Sequence, residues 1–289
     1  MNALFRPSKE NFSMTVEEYA KFIEFFYRKT GIQFQENKRY YVERRIVERM
    51  EKTKSESFRD YFNLVRFQMD GQELQLLINA MTVNETYFFR EDYQFQALIK
   101  GMLPSLVRGR DKRHALKIWS MPCSSGEEPY SIAIHILEFW DQADLWDIEI
   151  LASDIDSKIL AEARQGRYGA RSVQRLPAHL LSRYFAPIGD GLYQIRDELR
   201  DSIDFTLVNI VDKLQTGRYR DMDVIFCRNL LIYFDDVARR EAAEMMYEAL
   251  RPGGFVCLGH SESMSRMTSL FVPRKFGDTI VYQKPSSAE

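Results

Sequence analysis

Between residues 15 and about 100, apolar side chains recur at helical spacing. Val16, Tyr19, Phe22, Ile23 and Phe26 repeat every three or four positions behind Thr15, a side chain suited to capping a helix. Gly31 ends this first predicted helix. A second spans about Asn37 to Lys52 and a third about Ser57 to Met69, while Leu74, Leu77, Ile78 and Met81 mark a fourth. No strand-like alternation of useful length interrupts them.

From Leu116 the rhythm changes. Leu116–Trp119 reads as a short strand, Tyr130–Trp140 as a helix, Ile148–Ser153 as a strand and Ser157–Gln165 as a helix ending at Gly166. Asp221–Cys227 is a buried-looking strand. Val237–Leu250 is a helix closed by Arg251-Pro-Gly-Gly254, and Phe255–Leu258 and Asp278–Gln283 are the last strands. Strands alternating with helices predict an α/β fold with a parallel-rich sheet covered on both faces. Between Leu180 and Val208 the alternation breaks. There Leu192–Arg196, after the turn Gly189-Asp-Gly191, predicts a small inserted hairpin. The expected organisation is a helical region with linker over 1–92 and a sheet domain over 93–289, with a small β insertion at about 180–205. No internal repeat is visible.

Composition narrows the classes. Apolar residues form 45% of the 289, enough for a substantial core, and a net charge of −2 argues against a protein that coats nucleic acid. Cys123, Cys227 and Cys257 lie far apart with no C-x-x-C spacing, and the four histidines show no zinc-ligand pattern. No metal is expected. The first seven residues lack the apolar stretch of a signal peptide, and no run reaches the ~18 apolar residues of a membrane span. A soluble, cytoplasmic protein is expected.

The chemistry concentrates in Trp119–Ser131, which reads as strand, tight turn and helix. The turn Ser124-Ser-Gly-Glu-Glu128 carries one glycine and two acids. A phosphate-binding turn needs several glycines and no acids, because backbone N–H groups must approach an anion. This turn instead suits a cationic nucleoside without phosphate, which points to S-adenosylmethionine. Gly126 is expected to let the backbone pass close to the ligand and Glu127 to attract an ammonium group. Asp154, at the end of the next strand, is expected to accept both ribose hydroxyls. The competing reading is that Glu127 and Glu128 merely favour a helix N-terminus. Asn209, after Phe205–Val208, is a candidate for an adenine edge. Arg228 and Asn229 follow an apolar strand and are read as functional rather than core.

Cys123–Ser131, Ala152–Asp156, Cys227–Phe234 and Gly259-His-Ser-Glu-Ser263, with Met81–Glu91 upstream, resemble the motifs of the chemotaxis receptor methyltransferases, the CheR family. The resemblance runs over nearly the whole chain; Ser125 stands where the familiar form has threonine. It implies an S-adenosylmethionine-dependent (Rossmann-like) methyltransferase domain behind an all-α domain. The implied reaction gives glutamate γ-methyl esters on chemoreceptors and S-adenosylhomocysteine. Carried over residue by residue, Asn84, Thr86, Arg90, Glu127, Asp154, Asn209, Ile210, Asn229 and Leu230 match cofactor-contacting positions. Arg90 and Tyr233 match the positions beside the methyl group. The acceptor would be a glutamate carboxylate, already ionised at pH 7, so no general base is needed, and the lack of a compelling His–Asp pair in the sequence agrees.

Lys38, Arg45, Arg49 and Lys52 share one stripe of the second predicted helix. The plain reading is a solvated face. The resemblance makes the stripe a candidate docking surface for the acidic helical bundle of a chemoreceptor's cytoplasmic part. The predicted hairpin resembles the family's β-subdomain, with a loop at 187–191 shorter than in members that grip a receptor peptide. A base methyltransferase would carry Asn/Asp-Pro-Pro-Tyr where this chain has Asn229-Leu-Leu-Ile, and a nicotinamide dehydrogenase would need G-x-G-x-x-G. A non-catalytic S-adenosylmethionine-binding signalling module is the remaining alternative. It would be expected to lose Arg90 or Tyr233.

Overall fold

The structure, a computed structural model, describes residues 12–286. The N-terminal stretch read for a signal peptide lies outside the described residues. The chain divides into two compact units, residues 12–83 with Tyr233–Asp235, and residues 84–232 with 236–286.

The first unit is helical: α1 (Val16–Thr30), α2 (Arg39–Thr53), α3 (Phe58–Phe67) and α4 (Gln72–Met81). Thr15 and Glu18 form a reciprocal capping box, and Gly31 closes α1 with φ 73°. The core is aromatic. Phe22 packs against Phe26, Phe58 and Phe62, and Phe34 bridges Phe26 and Tyr41. The short 233–235 segment belongs here because Phe234 bridges Ile32 and Asp235 accepts the Tyr27 hydroxyl at 2.9 Å.

The second unit opens with α5 (Asp92–Ala97), a π-helical turn (Leu98–Met102) and α6 (Leu103–Val107). Then come β1 (Leu116–Ser120), α7 (Glu127–Phe139), β2 (Ile148–Asp154) and α8 (Ser157–Gln165). An insertion follows: β3 (Arg167–Gly169), α9 (Ala170–Val173), α10 (Ala178–Tyr184), β4 (Phe185–Gly189), β5 (Leu192–Ile195) and α11 (Asp197–Arg200). The chain continues with β6 (Ile203–Leu207), α12 (Lys213–Thr216), β7 (Met222–Cys227), α13 (Asp236–Ala249), β8 (Leu250–Leu258), β9 (Val272–Phe276) and β10 (Thr279–Gln283).

Seven strands form one sheet in the order β6-β2-β1-β7-β8-β10-β9, with β6, β2, β1, β7 and β8 parallel and β10 antiparallel to both its neighbours. The α/β fold expected from the sequence is therefore present, with a separate three-stranded antiparallel sheet β3-β5-β4. Every residue of β7 is buried, so both faces of the sheet are covered there. The order in which the strands are laid down reverses between β1 and β7, and the tips of all five parallel strands share one edge. Such a reversal opens a crevice where ligands of open α/β sheets bind.

Sequence periodicity missed β9. Its three exposed consecutive residues, Pro273, Arg274 and Lys275, spoil the alternation, which is tolerable because β9 is an edge strand.

Candidate functional site

The tip of β1 is tied to its neighbours by backbone bonds: Met121 N–H donates to Phe226 O and Cys123 N–H to Ser153 O, both at 2.8 Å. The chain then turns through Ser124 (φ 49°) and Gly126 (φ 95°) before α7 begins at Glu127. A Cβ at Gly126 would press on the Tyr130 ring, the Tyr168 hydroxyl and Ala163 at 3.0–3.2 Å. The glycine thus serves the turn's own conformation and packing.

Asp154, at the tip of β2, is 3% exposed. One carboxylate oxygen accepts the Ser124 N–H at 2.8 Å and the other the Asp156 N–H at 3.0 Å. Burial outweighs these bonds and pushes its pKa up to about 6. Glu127 is also 3% exposed; its two oxygens accept the hydroxyls of Ser125 (2.6 Å) and Ser172 (2.7 Å), and burial again raises its pKa. Neither acid has an ion-pair partner among the described residues. Two desolvated carboxylates at adjoining tips repel a pyrophosphate and favour a cation.

Asn84 belongs to the same cluster. Its side-chain amide donates to Asp156 at 2.7 Å and its backbone carbonyl accepts the Ser124 hydroxyl at 3.3 Å. Asp156 meanwhile caps α8. Thr86 and Arg90 lie half-buried on the following segment, which turns through left-handed Phe89 and Glu91. The Arg90 guanidinium donates to Glu85 O at 2.7 Å and sits 5.8 Å from the Tyr87 ring centre. It has no ion-pair partner among the described residues.

At the tip of β6, the Asn209 side chain accepts the Val211 N–H at 3.2 Å, and Ile210 is buried. At the tip of β7, Asn229 is left-handed (φ 60°) and Leu230 half-buried. Glu262 on the loop after β8 braces both loops, accepting the amides of Asn229 (2.9 Å), Leu231 (2.7 Å) and Gly259 (2.7 Å).

Arg228 and Glu128 differ from expectation. Arg228 is buried and structural, donating to Glu128 at 2.9 Å and Arg90 O at 2.6 Å, with Glu91 at 3.2 Å. Glu128 also accepts the Ser120 hydroxyl at 2.8 Å. It is therefore more than a charge at a helix N-terminus, because it neutralises a buried guanidinium. The expected lack of a His–Asp pair is likewise corrected: His135 Nε2 lies 2.8 Å from Asp92, and Nδ1 lies 2.8 Å from Ser131 O. Both ring nitrogens face acceptors and the ring is buried among Phe89, Phe95 and Phe139. It is engaged in holding α5 to α7 and not available as a base.

Tyr233 falls in the 233–235 segment of the helical unit, 37% exposed, its carbonyl accepting the Gln33 N–H at 3.0 Å. On α2, Lys52 is exposed, as is Lys38 just before it, and Arg45 is half-exposed beside Glu48. Arg49 does not share that surface. It is 8% exposed and bidentate to Glu73 at 2.9 and 2.7 Å, with Tyr61 OH on the same carboxylate. The stripe runs into the core at this position, so Arg49 is a buried strut.

Sequence reasoning missed Ser172 and the bracing role of Glu262. The second sits in a quoted motif; the first carries no local signal, because its partner is 45 residues away. Among the described residues no cluster of acidic, histidine and cysteine side chains is placed to hold a metal ion.

The comparisons with known proteins follow the same division. Residues 17–82 match the all-alpha domain of CheR methyltransferase and residues 84–278 its SAM-binding domain. The chain is 51% identical to "Chemotaxis protein methyltransferase 2" of Vibrio cholerae over 94% of either chain. It is 36% identical to "Chemotaxis protein methyltransferase 2" of Pseudomonas aeruginosa, again over 94% of each. The chemotaxis protein methyltransferase of Escherichia coli is 32% identical over 94% of this chain and 92% of its own. With both domains in order and curated relatives matched almost end to end, this chain belongs to the CheR methyltransferase family.

Proposed function

We propose that the protein transfers a methyl group from S-adenosylmethionine to glutamate side-chain carboxylates of chemoreceptors, giving γ-methyl esters and S-adenosylhomocysteine. The observation that carries this is the pair of buried carboxylates, Glu127 and Asp154, with no cationic side chain paired to them among the described residues. That donor set fits a ligand with an ammonium group and a ribose and opposes one with phosphates. Glu127 holds the ammonium end and Asp154 the ribose hydroxyls. Asn84, Thr86, Asn209, Ile210, Asn229 and Leu230 complete the surround.

S-adenosylmethionine supplies, when bound, a methyl group on a cationic sulfur. The chain's own residues then position and desolvate. The acceptor carboxylate is ionised at neutral pH, so no proton has to be removed, which agrees with His135 being locked in a structural pair. Charge is neutralised as the ester forms, and a dry site favours that change. Arg90, free of an ionic partner among the described residues, steers the incoming carboxylate. Lys38, Arg45 and Lys52 form the surface for the receptor's acidic helical bundle. Nucleic acid is not the partner. No described helix is long and apolar enough to cross a membrane, and a cytoplasmic site of action is proposed.

The test is transfer of a labelled methyl group to receptor cytoplasmic fragments. The expected product is labile to hydroxide, as an ester is. Stable label would mean another acceptor. Cofactor binding without transfer to any receptor fragment would favour the non-catalytic signalling module.

A further inference from the structure

Glu127 opens α7, where an acidic side chain is ordinarily half-solvated. Here it is buried because the insertion between β2 and β6 covers it. The Ser172 hydroxyl on α9 donates to one oxygen at 2.7 Å; Ser125, two residues from Glu127 on the same turn, donates to the other at 2.6 Å. Both serines are themselves held. The Phe88 N–H donates to Ser172 O at 3.0 Å, and the Tyr168 hydroxyl donates to Ser125 O at 2.8 Å. Tyr168 and Phe88 meet edge to face at 4.8 Å. No arginine or lysine reaches Glu127 among the described residues, so the compensation comes from the two hydroxyls, with a smaller share from the local backbone N–H.

We infer that Ser172 is a positioning residue for the cofactor: it fixes the Glu127 side chain and keeps it in the anionic form that an ammonium ligand needs. The inference rests on the proposed contact between Glu127 and the ligand's ammonium group. Each carboxylate oxygen offers two acceptor sites, so one hydroxyl per oxygen leaves room for a cation. Without Ser172, burial would tip Glu127 toward the neutral acid and free its rotamer. The other groups facing it do not replace the hydroxyl. Glu162 on α8 opposes ionisation, and Tyr168 and Cys123 are kept neutral by burial. The insertion thus contributes one of the two hydroxyls that hold Glu127, and the small antiparallel sheet is coupled to the site it flanks.

The experiment is calorimetric titration of the full chain with S-adenosylhomocysteine across about pH 5 to 8, for wild type, Ser172→Ala, Ser172→Thr and Glu127→Gln. Ser172→Ala is expected to bind about tenfold more weakly at pH 7, with the acid limb of its affinity profile moved up by about one pH unit. Any contribution of Asp154 to that limb is common to both proteins and cancels in the comparison. Ser172→Thr, which keeps the hydroxyl, is expected to restore both values, and it guards against a folding defect in the alanine variant. A Ser172→Ala profile that is unchanged, or lowered equally at every pH, overturns the inference, because packing alone would not move the limb. Wild-type affinity in Glu127→Gln removes the underlying contact instead, whereas weak binding there with unchanged Ser172→Ala sinks only Ser172.

Discussion

Glu262, on the loop after β8, accepts the backbone amide of Asn229 at the tip of β7 at 2.9 Å, and Asn229 is left-handed. A non-glycine residue keeps that conformation only when its surroundings hold it. The same carboxylate takes the amides of Leu231 and Gly259, so it closes the gap between two adjacent strand tips. Glu262→Ala is expected to cost about 2–4 kcal/mol of stability, since bonds to an ionised acceptor contribute roughly 1.5–3 kcal/mol each and water replaces part of them. It should also weaken S-adenosylhomocysteine binding by loosening Asn229 and Leu230. Denaturant unfolding and calorimetry test both; a loss under 1 kcal/mol with intact affinity would mean that the loops hold themselves.

Arg228 is the second strut of this edge. Its side chain is 2% exposed between Glu128 and Glu91. Removing one member of a buried ionic cluster leaves the others unpaired, which costs about 3–5 kcal/mol. Arg228→Ala is expected to lose that much in urea unfolding. Pairing it with Glu128→Gln should recover part of the loss, because one stranded charge is removed. Strict additivity of the two variants would contradict the coupling.

Much of this architecture was legible in the chain, and the illegible part has a common cause. Thr15, Gly31 and Gly166 act through neighbours a few residues away, so helix ends could be read locally. Asp154 and Glu127 stood out because acids at strand tips are chemically odd. Arg49 reads as surface and Arg228 as a functional group because the partner that buries each charge lies far away in the sequence. Glu73 lies 24 residues from Arg49, and Glu128 lies 100 from Arg228. Ser172 was invisible for the same reason.

On α2, charge reversal separates the two roles. Arg49→Ala is expected to destabilise by about 3–5 kcal/mol by stranding Glu73 and Tyr61. Lys38→Glu combined with Lys52→Glu changes only exposed side chains and should shift stability by less than about 1 kcal/mol. The double variant is expected to slow receptor methylation several-fold, more at low salt than at high, with cofactor affinity unchanged. Thermal scans and labelled transfer at two ionic strengths check this. Equal methylation by the double variant would leave the exposed lysines as solvated surface.

Cofactor affinity should depend on pH through Asp154, whose pKa burial pushes up to about 6 in the free protein. Hydroxyls of a ribose donate to the ionised form, so below about pH 6 a proton must leave before binding. Affinity for S-adenosylhomocysteine is expected to rise with pH through this range and level off above it, with at most about one proton released per ligand. In the free protein the sign is opposite. A carboxyl raised above its unfolded value contributes most when protonated, and that contribution fades as pH rises through about 6. Thermal protection by the ligand should therefore be larger at pH 8 than at pH 5.5. A flat affinity profile across this window would detach Asp154 from the ligand.

Arg90 carries the prediction closest to chemistry. Its guanidinium rests on the Glu85 carbonyl and over Tyr87 without a carboxylate partner among the described residues, so its charge is still available. A tight ion pair would quench the acceptor oxygen, whereas a loosely held arginine can orient it and let it react. Arg90→Ala is expected to lower turnover on receptor fragments at least tenfold, about 1.4 kcal/mol in the barrier, while thermal unfolding moves by only a few degrees. Arg90→Lys keeps the charge but loses the planar fork and should fall between the two. The measurement is kcat from labelled methyl transfer at saturating S-adenosylmethionine, with S-adenosylhomocysteine affinity determined alongside. A drop confined to cofactor affinity would make Arg90 a binding residue, and near-normal kcat in Arg90→Ala would remove it from the reaction.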